Sequence, residues 1–154
     1  MSIQPLETAA GSDFPVCRQL SVFVENRLGQ LLRLTRLFDK DDLRIVGLSV
    51  AAATDCAIVR LLLNDPDTAH RALTDAHFAV SETDLLVVEL PQGKRGIQSM
   101  CEALIAGEVN LNYIYPLLPD DRHGARIAMH VDDLALAAHA LATAKLRLFD
   151  QSEL

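Results

Sequence analysis

Along this chain, runs of β-branched and aliphatic residues alternate with stretches whose leucines recur at helical spacing. Arg18 to Glu25 (RQLSVFVE) reads as a strand, broken by Asn26-Arg27-Leu28-Gly29. Leu31, Leu32, Leu34, Leu37 and Phe38 then return at helical intervals with Arg33, Arg36 and Asp39 between them, which predicts an amphipathic helix that Asp41-Asp42 ends. Leu43 to Ala52 (LRIVGLSVAA) is a second strand, Thr54-Asp55 a short turn, and Cys56 to Leu63 (CAIVRLLL) a third strand. Asn64-Asp65-Pro66 has the form of a helix start, with Asp65 as cap and Pro66 in the first helical position. A helix over Asp67 to Ala76 and a weaker strand near His77 to Glu82 complete a β-α-β-β-α-β order.

The same order then recurs. Leu85 to Leu90 (LLVVEL) is a strand and Gln92 to Gly96 (QGKRG) a glycine-bearing turn. A helix with Ile97, Met100, Cys101, Leu104 and Ile105 on one face stops at Gly107. Val109 to Leu118 (VNLNYIYPLL) is a strand, Pro119 to Gly124 a hairpin turn, and Arg126 to Val131 a strand. A helix over Asp133 to Ala144, capped by Asp132 or Asp133, leads to a closing strand at Leu146 to Asp150. Laid over the first half, Leu43 falls on Val109 and Ala72-Leu73 on Ala140-Leu141, so the chain reads as a duplication. Each repeat is the ferredoxin-like arrangement, an antiparallel sheet with both helices packed on one face. The predicted fold class is α+β, with a flexible tail at 1–16 and units at 17–83 and 84–154. A sheet with one wet face should alternate polar and apolar residues. Val22-Phe23-Val24, Ile45-Val46, Leu61-Leu62-Leu63 and Leu85 to Val88 do not alternate. Something must cover the second face: pairing of the two halves, homodimerisation, or both.

Composition narrows the function. Half of the 154 residues are hydrophobic and mean hydropathy is +0.19, so the chain builds a core and is not disordered. A net charge of −7 repels phosphate backbones, and the absence of Trp leaves few stacking platforms, so no nucleic acid partner is expected. Cys17, Cys56 and Cys101 are odd in number and widely spaced, which indicates buried thiols in a reducing compartment instead of a disulfide framework or a zinc site. Residues 1–16 lack the basic and apolar regions of a signal peptide, and no run approaches the roughly 18 apolar residues of a membrane span. A cytoplasmic protein without membrane contact is expected.

No catalytic motif, cofactor motif or metal-ligand spacing is present. His70 and His77 are seven apart, but a helix end intervenes, and His123, His130 and His139 are scattered. Asp120-Asp121 and Asp132-Asp133 suit turns and helix starts. Arg60, inside an apolar strand, neutralises either an acid across the sheet or a ligand carboxylate. The informative stretch is Glu25 to Gln30. A glycine at a helix start lets the backbone approach a ligand, and free amides there favour an anion; a plain turn would look similar.

Residues Val22 to Gln30 (VFVENRLGQ), the Leu31–Phe38 helix and Leu43 to Ser49 (LRIVGLS) together resemble an ACT domain, and Asn26 with Gly29 matches that family's first-loop signature. Val109 to Tyr115 (VNLNYIY) resembles the second strand of tandem ACT proteins, so the resemblance runs over residues 18–150. Two departures stand out: Leu28 replaces the usual proline, and Gln92 to Gly96 lacks the usual acidic or Asn residue followed by Pro-Gly.

The resemblance implies a regulatory, non-catalytic module that binds an amino acid or similar small molecule between ACT units and signals to a partner enzyme. The ligand would sit between Asn26, Arg27, Leu28, Gly29 and Gln30 of one unit and Asn110, Leu111 and Asn112 of its neighbour. Its carboxylate would meet the helix amides near Gly29 and Gln30, and its ammonium Asn26, Asn112 or strand carbonyls. A weaker, pseudo-equivalent site would pair Gly93, Lys94 and Arg95 with Arg44, Ile45 and Val46, and its cations suit an anion better. The opening also resembles that of the small regulatory chain of acetohydroxyacid synthase, which implies a valine-like ligand. A ligand-free dimerisation module is the remaining alternative. Two units and a tail leave no room for a catalytic domain.

Overall fold

The computed structural model describes residues 14–39 and 42–154, so the expected tail up to residue 13, and Asp41 as a helix stop, fall outside the described residues. The β-branched opening run forms strand β1 (Cys17–Glu25), and the leucine-rich stretch after Gly29 forms a short helix α1 (Gln30–Arg36). Strands β2 (Ile45–Ala52) and β3 (Cys56–Leu63) make a hairpin. Helix α2 (Pro66–Asp75) starts as its sequence dictates, with Pro66 in the first turn and the Asp65 carboxylate accepting from the Thr68 amide. Strand β4 (Ala79–Glu89) leads into helix α3 (Gly96–Ala106), the hairpin β5 (Leu111–Pro116) and β6 (Arg126–Val131), and helix α4 (Leu134–Thr143). Of the two candidate caps for α4, Asp133 is the one used, accepting from the Leu136 amide.

The weak strand at His77–Glu82 and the strand at Leu85–Leu90 are one continuous strand, β4. Thr83-Asp84 separates the two expected strands, yet β1 pairs with residues 79–85 and satisfies their backbone. Glu82 meets the imidazole of His70, Nδ1 to Oε1 2.6 Å, and lies beside Arg18. The line between residues 83 and 84 therefore falls inside a strand that both halves share. The closing strand at Leu146–Asp150 shrinks to one bridge, Leu148 with Val88, flanked by Glu89 N–H to Arg147 O and Phe149 N–H to Val87 O.

All strands join in one antiparallel sheet of order β2-β3-β1-β4-β6-β5. Even-numbered residues of β1 and β4 face helices: Leu20, Val22 and Val24 pack with Leu34, Phe38 and Leu73 under α1 and α2. Leu86 and Val88 pack with Met100, Leu104 and Leu141 under α3 and α4. The opposite face mixes apolar residues with Gln19, Ser21 and Arg60, and the protein itself covers part of it, leaving Phe23 exposed. Cys17, Val46, Leu62, Leu85, Val87, Tyr115, Leu117, Ala128 and Phe149 form a third core to which both halves contribute. The sheet curls until its two edges touch, with a Gly47–Leu117 bridge and Leu118 N–H to Val46 O at 2.8 Å. Each large apolar side chain buried there contributes about 1.5–3 kcal/mol, so pairing of the halves answers the doubly apolar strands in part.

Candidate ligand-binding sites

Gly29 is the residue around which the first loop turns. Its φ of 85° lies in the left-handed region that an L side chain resists, and it occupies the N-cap position of α1, where no side chain caps the helix. The Asn26 amide nitrogen donates to Ala53 O at 3.2 Å, which ties the loop to the β2–β3 turn. Arg27 closes on Glu25, Nε to Oε2 2.7 Å, so its charge is already engaged. Asn26, Arg27, Leu28 and Gly29 are exposed and Gln30 is half-buried. Beside them Gly29, Leu32, Arg33 and Arg36 line an open hollow of about 400 Å³.

Asn110, Leu111 and Asn112 are exposed at the start of β5. Asn110 donates to the Asp132 carboxylate at 3.0 Å, and the Asn112 amide nitrogen lies 3.0 Å from His130 Nδ1. The strand registers separate them from the first loop. That loop leaves β1 beyond Phe23, which pairs with Ala79 at the start of β4, whereas Leu111 pairs with Val131, beyond the Met129–Leu86 pair. Among the described residues no hydrogen bond or ion pair joins 26–30 to 110–112 of the same chain.

The second pairing is divided as well. Arg44, Ile45 and Val46 line a hollow of about 340 Å³ with residues 118–122, Arg126 and Leu154. Gly93 and Lys94 line a different one with Leu90, Pro91, Gly96, Ile97 and Ala125. The cations beside Arg44 are thus Arg122 and Arg126 of the β5–β6 hairpin, not Lys94 and Arg95. Pattern reading misses them because a hairpin's partner depends on how far the sheet curls.

It also misses the polar groups at the centre. Gln19 is fully buried, and its amide donates to Tyr113 Oη at 2.7 Å and Ser21 Oγ at 3.4 Å while its carbonyl accepts from Tyr115 O–H at 2.7 Å. Burial pushes the Tyr115 phenol above its usual range, which keeps it a donor. Among the described residues no acid pairs with Arg60; its guanidinium lies 3.9 Å over the Tyr113 ring, which in turn stacks on His130. Cys17 donates to Phe149 O, and burial pushes its thiol up to about 12. The other two cysteines are also free, but Cys56 is exposed and Cys101 half-buried, so the expected burial holds for Cys17 alone. Among the described residues no cluster of three His, Cys, Asp or Glu could hold a metal ion, and no helix is long and apolar enough to cross a membrane.

Two β-α-β-β-α-β units wound into one sheet, with a glycine loop before the first helix, define a tandem ferredoxin-like α+β protein. Residues 16–154 match the ACT domain pair family, and the chain belongs to it. Protein BT0572 from Bacteroides thetaiotaomicron is similar in structure, with a TM-score of 0.84 at 29% identity over 92% of this chain and 97% of that one. The regulatory subunit of aspartate kinase from Thermus thermophilus shares the fold, with a TM-score of 0.58 at 12% identity over 86% of this chain and 93% of its own. That from Thermus flavus gives 0.55 at 12% identity, covering 86% and 94%. No curated protein matches in sequence.

Proposed function

We propose that this chain is a non-catalytic regulatory module that binds an amino acid or similar small molecule between ACT units of two copies, and signals to a partner enzyme of amino-acid metabolism in the cytoplasm. The observation that carries the reading is the state of the two half-sites. The Gly29 loop and the Asn110–Asn112 segment are both exposed, and among the described residues no hydrogen bond or ion pair joins them within one chain. A second copy related by a two-fold axis would bring each loop to the other chain's β5. Gly29 to Gln30 would then receive the ligand carboxylate, and Asn112 with strand carbonyls its ammonium. Units 17–83 and 84–154 act together in this scheme, one offering the loop and the other the strand. The regulatory aspartate kinase subunits that share the fold support an effector-binding role. The pairing of Gly93, Lys94 and Arg95 with Arg44, Ile45 and Val46 has no such support, because Gly93 and Lys94 line a different hollow from Arg44, Ile45 and Val46.

A thermal-shift screen against the twenty amino acids tests the reading. A ligand at 100 times its dissociation constant stabilises by about 2.7 kcal/mol, a shift of several degrees. The expected result is a selective shift that Gly29→Val removes. No shift from any amino acid, with a cooperative melt, would leave a ligand-free dimerisation module as the better account. Co-purification of a large catalytic subunit together with a valine-selective shift would favour the acetohydroxyacid synthase type.

A further inference from the structure

We propose that the hollow between the entry to β2 and the β5–β6 hairpin binds a small monocarboxylate, at a place distinct from the Gly29 loop. Its centre is Arg126, 4% exposed. Nη2 donates to Leu118 O at 3.3 Å and lies 3.8 Å from Asp120 Oδ2, while Nη1 has no hydrogen-bond partner among the described residues. Buried guanidinium nitrogens are rarely idle, and the cost of leaving one so is recovered when an anion supplies the missing acceptor. Burial lowers the pKa of Arg126, the direction expected of a cation short of partners.

Other groups lining the hollow set the ligand's charge. Arg44 and Arg122 are exposed on its rim, and Asp120 and Asp121 lie on the same wall. Asp120 is already saturated, taking the Arg122 amide at 2.8 Å and the Arg122 guanidinium at 3.2 and 2.9 Å. It shows that a planar carboxylate fits these cations. Asp120 takes up the Arg122 guanidinium, which leaves Arg44 and the idle Nη1 of Arg126 to meet an anion, and a single carboxylate supplies the acceptor that Nη1 lacks. Arg44 also donates to the Leu154 main-chain oxygen, so one of its nitrogens is engaged. The walls come from both halves of the chain, Arg44 to Val46 from one and residues 118–126 from the other. A bound carboxylate would therefore brace the contact where Leu118 N–H meets Val46 O.

Thermal unfolding in sodium lactate, against sodium chloride and sodium phosphate at equal ionic strength, tests the site. Lactate well above its dissociation constant should raise the native midpoint by about 3–5 °C over chloride. Arg44→Ala and Arg122→Ala change exposed residues and should melt cooperatively but without that rise, while Gly29→Val should keep it. Arg126→Met, which retains packed volume, should lose it too. Equal rises in native protein and the two rim variants, no rise at all, or a larger rise in phosphate would each overturn the proposal.

Discussion

Asp120 concentrates the charge of the β5–β6 hairpin in one carboxylate. Its bonds from the Arg122 guanidinium and amide hold its pKa well below the usual carboxylate range. The unfolded chain would take up a proton near pH 3.9, whereas the native hairpin stays ionised further down. Between those points the unfolded state binds more protons, so the contribution of Asp120 is present above the unfolded value and is lost as pH falls. Asp120→Asn should therefore flatten the acid limb in urea midpoints measured from pH 7 to pH 3. Native and variant curves that stay parallel would contradict this. Gln19 is the other residue whose setting decides much. It joins β1 to both tyrosines of β5, and removing its amide would leave buried hydroxyls without partners, at about 1–3 kcal/mol each.

Between elements, the tightest approach among the helices is α3 on α4. A methyl group built on Gly107 would lie 2.6 Å from the Ala140 Cβ, closer than carbon atoms approach. The sequence pattern takes Gly107 as a helix stop, and it does follow α3, but the left-handed residue there is Glu108, with φ 55°. Gly107 is a glycine for packing as much as for the turn. Gly107→Ala should cost about 1–3 kcal/mol by chemical denaturation, and adding Ala140→Gly should restore part of it. An unchanged midpoint would show that the helices move apart freely.

The elements themselves were legible in the chain wherever one local cause dominates. Asp65-Pro66 fixes the start of α2, Asp133 the start of α4, and leucine spacing the helices. Legibility failed where a distant partner decides. Thr83-Asp84 read as a break between two strands because β1, which pairs with them, lies more than sixty residues earlier in sequence. Nothing local to Gln19 announces its partners Tyr113 and Tyr115, more than ninety residues away. Of the candidate site, the Gly29 loop was visible from its own residues. The neighbours of Arg44 were not, because they follow from the curl of the whole sheet.

At the scale of the molecule, that curl has a consequence. Pairing of the halves covers the second sheet face around Cys17, Leu62, Leu85 and Val87, while Phe23 at the end of β1 stays exposed. What a second copy would complete is the ligand site, by bringing the Gly29 loop of one chain to the Asn110–Asn112 segment of the other. Mixing two defective variants, Gly29→Val and Asn112→Ala, tests this directly by calorimetric titration with the amino acid that shifts the native melt. Each variant alone should bind poorly. In a heterodimer one site carries both substitutions and the other carries neither, so an equilibrated equal mixture should recover about a quarter of the native sites at native affinity. Recovery of that fraction is the result this account predicts. Two variants that stay inactive after subunit exchange has been demonstrated would contradict a site shared between chains.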